Sequence, residues 1–72
     1  MSEGLPVVSG QQAIKALIRI GFEKVGQRGS HVKPRSEDRT VIVPLHNELA
    51  RGTLRSILLQ ANLTHDEFTA AL

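Results

Sequence analysis

Phe22-Glu23-Lys24-Val25-Gly26-Gln27-Arg28-Gly29-Ser30-His31-Val32-Lys33-Pro34-Arg35 is the stretch whose reading decides the fold. Phe22 to Gln27 reads as a strand, with Gly26 placed as a bulge. Arg28-Gly29 makes a two-residue reversal, because glycine supplies the positive φ that tight hairpin turns require. Ser30 to Arg35 returns as a second strand. Val32 is its obvious core residue, so alternation sends His31 and Lys33 to the opposite face. Pro34 has no N–H to give a ladder, which predicts an edge or a strand terminus there. Ser36-Glu37-Asp38 is a polar turn, and Arg39 to Val43 is a third strand ended by Pro44.

The flanks of this meander read as helical. Ser9 and Gln12 form a capping box, and Val8 can staple onto Ala13. A helix over 10–20 follows, with Ala13, Ile14, Leu17 and Ile18 on one stripe and Gly21 just past its end. Residues 45–51 connect the third strand to a second helix opened by Thr53, whose stripe is Leu54, Ile57, Leu58 and Ala61. Thr64 with Glu67 is another capping box, and Leu63 can staple onto Phe68 in a short last helix ending near Leu72. The order is α-β-β-β-α-α. A three-stranded antiparallel sheet with helices on one face is a two-layer α+β sandwich. At 72 residues the chain reads as one domain, 1–72, near the lower limit for folding on a single core.

The formal net charge is +2 and the isoelectric point about 9.7. The charge is uneven. Residues 1–35 carry a net of +4 and residues 36–72 a net of −2. A polyanionic partner therefore favours the first half. Without cysteine there is no disulfide framework and no thiolate zinc site, which fits a reducing cytoplasm. Met1-Ser2-Glu3-Gly4-Leu5-Pro6 lacks a basic segment and a long apolar run, so no signal peptide is expected. No apolar stretch approaches the roughly 20 residues of a membrane span, and no membrane partner is expected. Phe22 and Phe68 are the only aromatics. That argues against readers that stack bases on exposed rings.

His31 carries the chemistry. Imidazole both takes and gives a proton near neutrality. On a basic scaffold this points to a nucleic-acid backbone, and to RNA more than DNA, because the ribose 2′-OH is an internal nucleophile. Arg28 and Lys33 flank His31 and suit charge developing on a scissile phosphate. Lys15, Arg19 and Arg35 supply the rest of the proposed RNA-binding charge. One imidazole serves one proton-transfer role, so His46 is the candidate for the other. Taken alone, a solvent-facing histidine is more often plain surface. His46, after a strand-ending proline, is more often a loop hydrogen-bonder, and His65 is surface. The histidines fit no metal-ligand spacing and no carboxylate is patterned with them, so neither metal nor cofactor is expected. Arg51 and Arg55 read as a solvated helix face, with a phosphate clamp the close alternative.

Several segments carry a family resemblance: Leu5-Pro6-Val7-Val8-Ser9-Gly10, Leu17-Ile18-Arg19-Ile20-Gly21-Phe22, Gln27-Arg28-Gly29-Ser30-His31, Val41-Ile42-Val43-Pro44-Leu45-His46 and Gly52-Thr53-Leu54-Arg55-Ser56-Ile57-Leu58. In that order they resemble the HicA toxins of bacterial toxin–antitoxin pairs, over nearly the whole chain. The closing Ala61-Asn62-Leu63-Thr64-His65-Asp66-Glu67-Phe68 fits as well. The resemblance implies a fold like the double-stranded RNA-binding domain. It implies an mRNA interferase, a metal-independent endoribonuclease whose essential histidine is His31, with Gly29, Ser30 and His46 as supporting candidates. It also implies a HicB-type antitoxin that masks this site. Pro34 departs from the pattern, where a strand-forming residue is expected. The alternative is a non-catalytic RNA-binding module of the same fold. A DNA-binding role is weaker, because no helix-turn-helix pattern with base-reading side chains is present.

Overall fold

Two capping boxes fix helix starts. Ser9 Oγ accepts from the Gln12 N–H at 3.1 Å, and Gln12 Oε1 accepts from the Ser9 N–H at 2.8 Å. Thr64 and Glu67 repeat the arrangement at 3.1 and 2.8 Å. The computed structural model describes residues 5–72. Its elements are α1 (Gly10–Ile20), β1 (Glu23–Arg28), β2 (His31–Ser36), β3 (Arg39–Thr40), β4 (Val43–Pro44), α2 (Arg51–Ala61) and α3 (His65–Ala70). This is the α+β order expected, with the third strand present as two short segments. α2 begins at Arg51, before Thr53, and its N-cap Ala50 makes no side-chain cap.

The hairpin turn lies one residue later than the sequence suggests. Arg28 pairs with His31, so the two-residue loop is Gly29-Ser30, and the strands shift to Glu23–Arg28 and His31–Ser36. Gly29 has φ 59°. The positive φ falls at the first central position, where a hairpin wants glycine, and Arg28 is left in the strand. The register slips between Lys24 and Gln27, where the bulge was expected.

β2 is the central strand, paired with β1 on one side and with both β3 and β4 on the other. Pro34 sits inside it and is fully buried, so the expected edge or terminus is not found. Its carbonyl accepts from the Val41 N–H at 2.9 Å. In an antiparallel sheet a residue's N–H and C=O face the same neighbour. The donor that Pro34 lacks would therefore point at 41–42, where the third strand breaks. The Ile42 N–H points away from β2 and donates to Gln60 Oε1 of α2 at 3.1 Å. One missing N–H thus leaves the ladder incomplete where β3 separates from β4.

The core forms one cluster between the helices and the inner sheet face. Phe68, Leu17, Leu54, Ile57, Val32, Val41 and Val43 are its largest fully buried apolar side chains. Ile18, placed on the α1 stripe by periodicity, is exposed; Ala16 is buried in that layer instead.

Gly10 shows how tightly α1 meets the sheet. A Cβ there would overlap the Pro44 carbonyl oxygen, and the Gly10 N–H donates to the His46 carbonyl at 2.9 Å. Alanine is the better helix former by about 1 kcal/mol, yet it must push two main chains apart. Gly10→Ala will cost about 1–3 kcal/mol net, the range for overpacking, read from urea unfolding midpoints. Equal or higher stability in the variant would show that this contact yields.

Candidate nucleic-acid interface

β2 alternates as expected. Val32 and Pro34 face the core, while His31 and Arg35 are exposed and Lys33 is half-buried. Directly paired residues point to the same side of a sheet. Pairing of Arg28 with His31, and of Glu23 and Thr40 with Arg35, therefore gathers these side chains around Lys33 on the open face. The result is a basic face that also carries one carboxylate, Glu23, one hydroxyl, Thr40, and the exposed apolar Ile42. Arg35 Nε donates to the Glu37 carbonyl at 2.9 Å, which holds the guanidinium over the next turn.

His31 sits on the closing pair of the hairpin, beside a turn braced from two directions. Gln27 Nε2 donates to the Gly29 carbonyl at 3.1 Å. The Leu45 N–H donates to the Ser30 carbonyl at 2.6 Å. Gly29 and Ser30 thus fix the backbone that precedes the imidazole. His31 lies opposite Pro44, and His46 follows two residues later, exposed, with its carbonyl bound by α1. Both histidines belong to the same end of the sheet.

Lys15 and Arg19 are not brought to this face. They lie on α1 in the helical layer, and Arg19 Nη1 donates to the Ala71 carbonyl at 2.8 Å, tying α1 to the end of α3. Arg51 and Arg55 are exposed on α2, and His65 opens α3 half-buried. Reading residues by charge missed Thr40 and the Gln27 brace. Their roles follow from cross-strand register, which the Gly26 region displaces. Among the described residues, no group of three or more His, Cys, Asp or Glu side chains is placed to hold a metal ion. Among them, too, no helix is long and apolar enough to cross a membrane.

Comparison with known protein families gives a match. A family model described as the HicA toxin of bacterial toxin–antitoxin systems matches residues 10–63. The match runs from the start of α1 to the residue after the α2 C-cap, and includes His31, His46 and the whole basic face. No curated protein matches the chain.

Proposed function

The chain belongs to the HicA toxin family of bacterial toxin–antitoxin systems, and from that premise we propose that it is an endoribonuclease cleaving mRNA, with His31 as general acid or base. As the toxin of such a pair it has an antitoxin partner. In this reading the antitoxin is HicB-like and covers the face around His31, and the toxin acts in the cytoplasm, where its substrate is.

The observation that carries the reading is an exposed imidazole on a basic sheet face, beside a braced turn. The 2′-oxygen of a ribose attacks the adjacent phosphorus. A new P–O2′ bond forms, the P–O5′ bond breaks, and a 2′,3′-cyclic phosphate remains. A base removes the 2′-OH proton and an acid protonates the departing 5′-oxygen. His31 serves one role, and His46, at the same end of the sheet, is the candidate for the other. In this reading Arg28 and Lys33 offset charge building on the phosphoryl oxygens. Arg35 extends the positive face along the strand.

Because the ribose supplies the nucleophile, the reaction needs no metal-bound water. Cleavage of RNA will persist in excess EDTA and leave 2′,3′-cyclic phosphate or 3′-phosphate ends, identified by end-labelling and mass spectrometry. Loss of activity in chelator, restored by Mg²⁺ or Zn²⁺, would overturn the mechanism.

A further inference from the structure

β1 is covered on neither face; none of its six residues is buried. On the helix side this leaves a groove of about 430 Å³ between α1 and the hairpin. Its floor is apolar, made by Ile14, Val32 and Leu45. Its walls are polar, with Lys15 and Gln11 from α1 and Lys24 and Gln27 from β1. Among the described residues, no acidic side chain lines it. Lys24 and Gln27 face this side because their partners are Pro34 and Val32, the two buried residues of β2.

The groove lies back to back with the His31 face and shares its hairpin. Gln27 lines the groove while its Nε2 braces the Gly29 carbonyl at 3.1 Å. The next pair along the ladder is Arg28 with His31. A strand passing over the Gly29-Ser30 turn would meet both sites.

We propose that this groove takes one nucleotide of single-stranded RNA whose chain continues over the Gly29-Ser30 turn toward His31. The inference rests on the ribonuclease reading for the identity of the polymer. The volume is that of a small-ligand site. An apolar floor accepts the flat face of a base. The two glutamine amides offer both donors and acceptors to a base edge, the group type that discriminates one base from another. Lys15 and Lys24 supply the positive charge that a flanking phosphate requires. The groove also gives Lys15 a role in RNA binding although it lies off the His31 face. An acidic peptide would satisfy the lysines but leave the amides and the flat floor unused.

The test is a titration of ¹⁵N-labelled protein with each of the four 3′-nucleoside monophosphates, with inorganic phosphate and tetraglutamate as controls. At least one nucleotide is expected to shift the amide signals of Gln11, Ile14, Gln27, Val32 and Leu45. Lys24→Ala and Gln27→Met, both at exposed positions, are each expected to weaken that binding about tenfold, as for a lost hydrogen bond or charge. Gln27→Met is also expected to flatten the preference among the four bases. The proposal is overturned if inorganic phosphate gives the same shifts with equal affinity, or if tetraglutamate binds there more tightly than any nucleotide. Shifts confined to Arg28, Lys33 and Arg35 would overturn it as well. Cleavage by a His31→Ala protein would instead overturn the role of His31, and the groove titration would stand unaffected.

Discussion

Replacing His31 with alanine will remove growth arrest and RNA cleavage while leaving a folded protein. His31 is exposed on β2 and packs into no part of the core. Its loss should change stability by no more than about 0.5 kcal/mol, as for an ordinary surface substitution. Its loss from the reaction is another matter. A positioned acid or base contributes roughly 10²–10⁴-fold to a proton-transfer step, enough to turn rapid message decay into decay too slow to arrest growth. Induced expression in bacteria, with message length followed on gels and folding by circular dichroism, separates the two effects. RNA affinity should stay within a few-fold, since Arg28 and Lys33 remain. A folded His31→Ala protein that still arrests growth and shortens mRNA would refute the assignment. The same experiment decides against a non-catalytic RNA-binding module, which would tolerate the change.

The second large effect is expected at Phe68, outside the residues matched by the family model. α3 has only six residues and cannot be stable alone. It is held by Phe68, which is fully buried and the largest of the fully buried side chains. Phe68→Ala will leave a cavity costing about 3–5 kcal/mol. A domain this small has little stability to spare. At about 4–8 °C per kcal/mol for its size, the melting temperature should fall by about 12 °C or more. A thermal melt by circular dichroism reads this directly. A fall under about 5 °C would mean that the core closes without α3.

Locally encoded features were legible in the sequence. Both capping boxes form as written, because a cap needs only residues three apart. The face of His31 followed from alternation with Val32. The hairpin turn missed by one residue, since Arg28-Gly29 and Gly29-Ser30 satisfy the same local rule and differ only in which central position Gly29 takes. Non-local features were not legible. The place of Pro34 depends on which segment lies opposite it, and so does the break at 41–42. Summed charge along the chain put Lys15 and Arg19 with His31. In space Arg19 is engaged by the Ala71 carbonyl, and Lys15 opens onto the groove between α1 and the hairpin.

The segment from Leu45 to Leu49 bonds through its backbone to three earlier parts of the chain: Leu45 to Ser30, His46 to Gly10 and Leu49 to Val8. Synthesis runs from the N-terminus, so residues 8–10 and the hairpin leave the ribosome before their clasps have been made. The helix and hairpin can form early, but nothing yet locks the turn that carries His31 against the rest. Phe68 comes later still. If messenger RNA is the target, the chain is unfinished as a weapon for most of the time it is tethered to its own message.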